Sequence, residues 1–446
     1  MKKTAFSFKS IFSTSSFQLL IFISGLVINK CIAVFSGPTG IALFGVIKNF
    51  HIFFGSLLKL GSDTVIINKA SKAAQSPALK QELISSIFKL CFFQIIFIFL
   101  ALIALDDLIY DLVFQSIIPF EEKWLIRLIL ILIFFTAFSE MMISFFNGLL
   151  DLKKVFISSF SGSIFTMLLA VIVEPTSFLE ISFLALSSGS FSAIILLYFL
   201  FRNSYIFSLE AKNDMKHSRL QLPISLPLLI HPILVSSAFI IIQNLISSSY
   251  GVKELSFFVL CSTLIGVIMS LMMASGRMYF LPKLGTLTDS EERNKFFQTN
   301  IYFFLIAASL VSIVLFFFAP LVIQILYSDE FLGAEVLLSL FSSTIILKSF
   351  QWIIAISSWE KNRFKIYIIP EFIRETLYIA TCFICLVWQF EFKFIFVGFL
   401  FSEIIASIFW IGYLNFYKSE LSINPLLIVT VYLITFLLII LNYHAI

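Results

Sequence analysis

Charged residues are scarce in this sequence, since Asp, Glu, Lys and Arg fill 13% of its 446 positions while hydrophobic residues fill 60%. Soluble proteins carry about a quarter charged residues. A chain folded in water has no way to cover this much apolar surface, so the composition excludes a soluble protein. The apolar runs are long enough for membrane helices, and the predicted fold class is therefore an all-α polytopic membrane protein.

Cysteines and glycine-rich motifs are also few. The five cysteines all lie in apolar segments, which argues against disulfides, and no Cys/His cluster has the spacing of a zinc site. Cys382 and Cys385 form a C-x-x-C pair, which inside an apolar helix is interpreted as two small buried residues. No Walker A loop is present, and the longest outer loop, near 105–123, is too short for a catalytic domain. We therefore expect no metal, no cofactor, no nucleic-acid partner and no enzymatic activity.

Long apolar runs are what the sequence has in abundance. A helix needs about 20 apolar residues to cross the bilayer core, and breaking the chain at charged and Pro- or Gly-containing connectors predicts thirteen spans. They lie at 11–35, 39–62, 82–104, 124–149, 155–173, 178–201, 224–249, 254–279, 300–327, 333–357, 364–388, 392–416 and 424–443. The basic start MKKTAFSFKS leads into a run much longer than a signal-peptide core, so the first span is predicted to be a membrane helix.

Lysine and arginine support this count of spans. With the N-terminus in the cytoplasm, twenty of them fall on the inner side and four fall on the outer side, namely Lys123, Arg127, Lys253 and Lys393. Cytoplasmic loops carry an excess of positive charge, so the alternation predicts a multi-pass protein with a cytoplasmic N-terminus. The thirteenth span then places the C-terminus outside.

A faint internal repeat with a period of about 211 residues relates the two halves of the chain. Gly40 and Gly251 follow spans 1 and 7, and Lys72 and Lys283 fall in the next inner loops. Six helices per repeat make the repeat parallel, and transporters built from such repeats bind substrate between the two lobes. The predicted units are an N-lobe of six helices at 1–201, a cytoplasmic linker at 202–222, a C-lobe of six helices at 223–416 and an extra helix at 424–443.

Basic residues form a stripe on the second span. Lys48, His51, Gly55 and Lys59 share one helix face, and Lys48 lies near the middle of the bilayer. Such a stripe is typical of an anion pathway, and Lys30 on the first span is placed to face it. Lys59, close to the inner surface, is interpreted as snorkelling to water.

A second group of charges lies in the stretch IIPEFIRETLYIA, residues 368–380. Glu371 shares a helix face with Arg374 and Glu375, about 12 to 18 Å below the inner surface. Pro370 tends to kink the helix and to free a carbonyl. Lys348 and Glu403 lie at similar depth and are predicted to complete the group, since intramembrane charges usually face partners or a cavity. Two interpretations stay open, a closed ion-pair network or a site that binds a cation or a substrate phosphate.

Three short segments resemble a known family. They are KCIAVFSGPTGIALF at 30–44, YFLPKLGTLT at 279–288 and RFKIYIIPE at 363–371. These segments are similar to the junction of the first two helices, the inner loop after the eighth helix and the start of the eleventh helix of Wzx-type flippases. That family belongs to the multidrug/oligosaccharidyl-lipid/polysaccharide (MOP) exporter superfamily, which includes the MATE transporters, and the likeness is greatest to the lipid III flippases of enterobacterial common antigen. The thirteenth span departs from the twelve-helix pattern of the family.

The resemblance implies both a substrate and a membrane. The substrate would be an undecaprenyl-diphosphate-linked oligosaccharide, an O-antigen or related surface-polysaccharide unit, moved across the bacterial inner membrane. Expected partners are the bilayer and the polysaccharide polymerase and chain-length machinery. The implied contacts to diphosphate and sugar are Lys30, Lys48, His51, Lys348 and Arg374. The implied carboxylates for coupling to a proton or sodium gradient are Glu371, Glu375, Glu403 and Glu140.

Two other functions compete with a flippase. A MATE-type drug or cation antiporter would need an acidic cavity, whereas Lys30, Lys48 and Lys59 make the N-lobe basic. An O-antigen polymerase or ligase has a similar composition, but such enzymes carry a large outer loop that this sequence lacks. A purely structural role would leave the intramembrane charges unexplained.

Overall fold

The fold is a bundle of long helices. The computed structural model describes residues 8–63, 66–67, 70, 92–111, 123–149, 151–202, 222–286, 289–360, 364–416, 431, 433 and 435. Within these ranges the regular structure is helical, with no strand. The first element, α1, runs over Phe8–Lys59 and joins the first two predicted spans.

Gly37 divides α1 into two helices. Its backbone angles are φ 59° and ψ −152°, a combination that is essentially restricted to glycine. A Cβ atom at this position would lie 2.9 Å from Oε2 of Glu330. The second helix therefore begins at Pro38, which suits the first turn of a helix because proline has no N–H to donate. This turn lies three residues before Gly40, the glycine from which the repeat was inferred.

The next helices pack closely through small residues. They are α2 (Phe92–Ala104), α3 (Asp106–Ile109), α4 (Trp124–Gly148), α5 (Leu152–Val173), α6 (Phe178–Arg202) and α7 (Leu222–Ser249). A Cβ atom on Gly162 of α5 would lie 2.4 Å from the carbonyl oxygen of Ser188 on α6. A Cβ atom on Gly189 of α6 would lie 2.3 Å from Thr136 on α4. Glycine at these positions lets the helix backbones approach, as is common where membrane helices pack.

The remaining helices begin after Gly251, whose φ of 105° makes the turn that follows α7. They are α8 (Val252–Thr286), α9 (Ser290–Phe317), α10 (Ala319–Leu326), a 3₁₀ helix (Asp329–Ala334), α11 (Glu335–Ser342), α12 (Thr344–Glu360), α13 (Phe364–Val387) and α14 (Lys393–Phe416).

Three predicted spans differ from the helices observed, and the first of them, predicted at 254–279, continues to Thr286 in α8. The span predicted at 300–327 begins earlier, at Ser290, where the side chain of Asp289 caps the first turn. It also ends earlier, at Phe317, because Pro320 starts the separate short helix α10. The span predicted at 333–357 is divided at Ser343 into α11 and α12.

The prediction of an all-α polytopic membrane protein is confirmed. Nine helices among the described residues are long and apolar enough to cross a membrane. Helix α13, with three charged residues in its middle, is not among these nine. The start of the span predicted at 82–104 and nearly all of the span at 424–443 lie outside the described residues.

Two compact units make up the structure. One contains residues 23–36 and 43–240, and the other contains the described residues of 1–22, 37–42 and 241–446. Below they are called the N-terminal and C-terminal units. The lobe and linker boundaries predicted from the sequence remain a prediction.

Candidate functional site

The centre of the C-terminal unit is an ion-pair cluster on α13. The guanidinium of Arg374 lies within 3.1 Å and 2.5 Å of the two carboxylate oxygens of Glu371, a bidentate pair. Two of its nitrogens also donate to Oε1 of Glu375, at 3.0 and 2.6 Å. All three residues are buried, with 4% of Glu371, 9% of Arg374 and 2% of Glu375 exposed. The i, i+3 and i, i+4 spacing predicted from the sequence therefore produces one compact group.

Glu403 on α14 extends this cluster to a neighbouring helix. Its Oε1 lies 3.1 Å from Nζ of Lys348 on α12 and accepts a hydrogen bond from the Tyr378 hydroxyl. Its Oε2 accepts from Nε2 of Gln351 at 2.8 Å. Oε1 also lies 3.8 Å from Nε of Arg374, which links the two halves of the group. We call Lys348, Glu371, Arg374, Glu375 and Glu403 the charge cluster.

The backbone of α13 and α14 explains how these side chains meet. A Cβ atom on Gly398 of α14 would lie 2.6 Å from Cβ of Thr381 on α13, so only glycine allows this close approach. The expected kink at Pro370 does not interrupt the helix, because α13 continues from Phe364 to Val387. Tyr378 thereby reaches across to Glu403.

A second, smaller group of charges lies in the N-terminal unit. Nζ of Lys59 lies 2.5 Å from Oε2 of Glu140 on α4 and 2.9 Å from Oδ2 of Asp63. The Lys59 side chain is only 14% exposed. The interpretation that Lys59 snorkels to water is therefore wrong, because its ammonium group pairs with two carboxylates of the same unit.

Lys48 and His51 lie above this group on α1. Nζ of Lys48 lies 5.1 Å from the centre of the Phe44 ring, and no carboxylate in the described part of the chain pairs with it. His51 lies over Gly55, where a Cβ atom would be 3.6 Å from Nε2, so these residues share a face as predicted. Nε2 of His51 is buried and has no hydrogen-bond partner among the described residues. Lys30, on the first half of α1, has a partly buried side chain.

Sequence reasoning missed the uncharged members of the site. Gln351 donates to Glu403, and the hydroxyl of Ser407 donates to the Glu403 carbonyl oxygen at 2.9 Å. Tyr378, which donates to Glu403, was missed as well, because the sequence analysis considered only charged residues and histidines. Each nevertheless lies one helix turn from a charged residue, Tyr378 from Glu375, Gln351 from Lys348 and Ser407 from Glu403. A search for polar residues at that spacing would have found them.

No protein-family model matches the sequence, and no curated protein matches it at a significant level. Solved structures do resemble it. An inward-facing multidrug resistance MATE family transporter of the MOP superfamily superposes with a TM-score of 0.75 at 14% identity, covering 91% of this chain and 98% of its own. An outward-facing MATE family transporter gives a TM-score of 0.61 at 15% identity, with 92% and 97% covered.

A third structure is a MOP superfamily transporter from Pyrococcus furiosus, described by the reverse polarity of its binding pocket, which suggests a different function. It superposes with a TM-score of 0.62 at 14% identity, covering 91% of this chain and 96% of its own. At such low identity the likeness shows the fold alone. The chain therefore has the helical fold of the MATE transporters of the MOP superfamily.

Proposed function

We propose that this protein is a secondary transporter of the bacterial inner membrane that flips an undecaprenyl-diphosphate-linked oligosaccharide, an O-antigen or related unit, to the periplasmic leaflet by alternating access. The observation that carries the proposal is Lys48, a basic residue inside the membrane that no described carboxylate neutralises. It lies eleven residues beyond Gly37, which is about 16 Å along the helix and thus near mid-membrane.

The energetics of Lys48 favour an anionic ligand. A lysine at the centre of a membrane helix costs at least about 2.5 to 3.5 kcal/mol. Its contact with the Phe44 ring returns about 0.5 to 2 kcal/mol, which leaves about 0.5 to 3 kcal/mol of that cost uncompensated. A diphosphate group would supply the missing negative charge, and the buried Nε2 of His51 on the same face is a further group available to an oxygen-rich ligand.

Lys30, Lys348 and Arg374 are the other proposed contacts. Because Glu403 and two further carboxylates already occupy Lys348 and Arg374, a phosphate at these residues would have to replace a carboxylate. Such an exchange would couple substrate binding to the charge cluster and hence to a proton or sodium gradient. Polysaccharide polymerase and chain-length machinery are the proposed partners downstream.

The second candidate function is a MATE-type drug or cation antiporter. The observation that favours it is the set of buried carboxylates in the C-terminal unit, since Glu375 and Glu403 are 2% and 0% exposed and would attract a cation. The MATE fold suits both candidates. The reported polarity reversal in the Pyrococcus furiosus transporter indicates that pocket charge varies within this fold, so the charge of the site is a better guide than the fold.

The test is to delete the gene and follow lipid-diphosphate-linked oligosaccharide in right-side-out spheroplasts. The flippase proposal expects this lipid to accumulate on the inner leaflet, protected from probes added outside. Drug sensitivity without accumulation would favour the antiporter. Lipid-linked units that reach the outer leaflet unpolymerised would favour a polymerase.

Complementation with variants then tests the site itself. Lys48→Glu is expected to abolish flipping with a normal protein level in the membrane, because it places a negative charge where the diphosphate binds. The matched control is Lys253→Glu, since Lys253 also lies over a phenylalanine ring, 5.8 Å from Phe257, but at the exposed start of α8. Full activity of Lys48→Glu would remove Lys48 from the mechanism.

A further inference from the structure

We infer that Glu375 is the carboxylate of the charge cluster that takes up and releases a proton, through Oε2. This inference rests on the proposed function, in which an ion gradient drives transport. Glu375 is 2% exposed, and its Oε1 accepts both hydrogen bonds that Arg374 offers it. Its Oε2 is buried and has no hydrogen-bond partner among the described residues.

The other two carboxylates lack such a free oxygen. Both oxygens of Glu371 accept from Arg374 in the bidentate pair. Oε1 of Glu403 is bound by Lys348 and Tyr378, and Oε2 is bound by Gln351. A proton added to either residue would displace an existing donor, whereas a proton on Oε2 of Glu375 displaces none.

The hydrogen-bond inventory of the site also has more acceptors than donors. Tyr378 and Gln351 are hydrogen-bonded to the charge cluster. In this larger group, two buried side-chain atoms have no hydrogen-bond partner in the described part of the chain. These atoms are Oε2 of Glu375 and Oε1 of Gln351, and both are acceptors. Buried polar atoms are rarely left unpaired, so a group in which the unpaired atoms are all acceptors is suited to receive a proton.

The charge of Arg374 stays compensated when Glu375 is protonated. When Glu375 changes from carboxylate to carboxylic acid by gaining one proton, Arg374 keeps its bidentate pair with Glu371. Release of the same proton on the other side of the membrane restores the carboxylate, so the cycle balances. The charged and titratable groups facing Glu375 are Glu371, Arg374 and Tyr378 on α13, Lys348 on α12 and Glu403 on α14.

The chemistry favours a proton over a metal ion. A proton needs a single oxygen, whereas hard cations need several oxygen ligands. In the ranges that the structure describes, no group of three or more acidic, His or Cys side chains is placed to hold a metal ion. Oε2 of Glu375 alone is sufficient for protonation.

The test is infrared difference spectroscopy of the purified full-length protein in vesicles, recorded between acidic and alkaline buffer. The wild type is expected to show the carbonyl band of a buried carboxylic acid at acidic pH, shifted in heavy water. Glu375→Gln should lose this band completely. Glu391→Gln, which alters a glutamate that is 72% exposed, should keep it. Absence of the band from the wild type, or its persistence in Glu375→Gln, would overturn the inference.

Two further arms keep the test decisive. If Glu375→Gln does not fold, Glu375→Asp must shift the frequency of the band, and an unshifted band overturns the inference. Because the spectra need no substrate, they separate this inference from the flippase proposal. Wild-type vesicles that move no lipid-linked oligosaccharide would refute the flippase proposal, while loss of the band in Glu375→Gln would still support the proton site.

Discussion

Arg374 offers the sharpest test of what holds the C-terminal unit together. Replacing it by methionine removes four charge-assisted hydrogen bonds of 2.5 to 3.1 Å and leaves Glu371 and Glu375 buried without that partner. Removing one member of a buried ion pair costs about 3 to 5 kcal/mol, mainly because the remaining charge is uncompensated. At about 1.4 kcal/mol per factor of ten, this lowers the folding equilibrium constant by roughly 100-fold or more.

The assay is thermal unfolding of the purified variants in detergent, with transport measured in parallel. Arg374→Met should lose most of its folded protein. The triple variant Arg374→Met, Glu371→Gln, Glu375→Gln should regain stability, because none of the three replaced residues then leaves an uncompensated buried charge. Arg202→Met is the control, since that arginine is exposed and donates a hydrogen bond to the Tyr198 hydroxyl at 3.2 Å. Equal stability of Arg374→Met and wild type, or no rescue in the triple variant, would refute the reasoning.

Two glycines give further predictions. Gly37→Ala should destabilise the protein by about 1 to 3 kcal/mol, because its backbone angles suit only glycine and its Cβ would meet Glu330 at 2.9 Å. Thermal unfolding against Gly25→Ala, which meets nothing within 4 Å, measures this effect, and equal melting temperatures would contradict it. Gly398→Leu should separate α13 from α14 at Thr381 and lower both stability and transport in vesicles. Transport at the wild-type rate in Gly398→Leu would show that this close approach is not needed.

Sequence patterns predict contacts along one helix better than contacts between helices. The cluster on α13 follows from the spacing of Glu371, Arg374 and Glu375, because residues three and four apart lie on one helix face. The ion pair between Lys59 and Glu140 joins residues far apart in the chain, and no local periodicity encodes it. Depth arguments therefore predict that Lys59 snorkels to water, whereas its ion pair with Glu140 on α4 leaves its side chain only 14% exposed.

Helix boundaries show a similar limit. Pro320 marks the start of α10, but membrane helices often continue through proline, as α13 does at Pro370. Hydropathy cannot separate these cases because both segments are apolar. A helix continues through proline when the backbone carbonyl that loses its hydrogen bond finds another partner. Whether it does depends on the neighbouring helices, which the local sequence does not specify. Asp289 is a typical N-cap residue, so the sequence contains a signal for a helix that begins at Ser290. Hydropathy alone places the start of the span later, where the apolar run begins.

Lys48 and Arg374 are both basic residues in the middle of long helices, yet their surroundings predict opposite effects of mutation. Arg374 is neutralised by carboxylates that need it in return, so its loss should cost stability. Lys48 contacts the ring of Phe44 and has no counter-ion among the described residues. Its buried charge therefore lowers the stability of the folded protein.

Lys48→Met should therefore raise thermal stability by about 0.5 to 3 kcal/mol, while abolishing flipping. Melting of the purified protein against the exposed-site control Lys253→Met measures the first effect, and the spheroplast assay measures the second. A destabilised Lys48→Met would show that the protein already neutralises this lysine. The reason for assigning it to an anionic substrate would then be lost, because a charge that stabilises the fold needs no ligand to account for it.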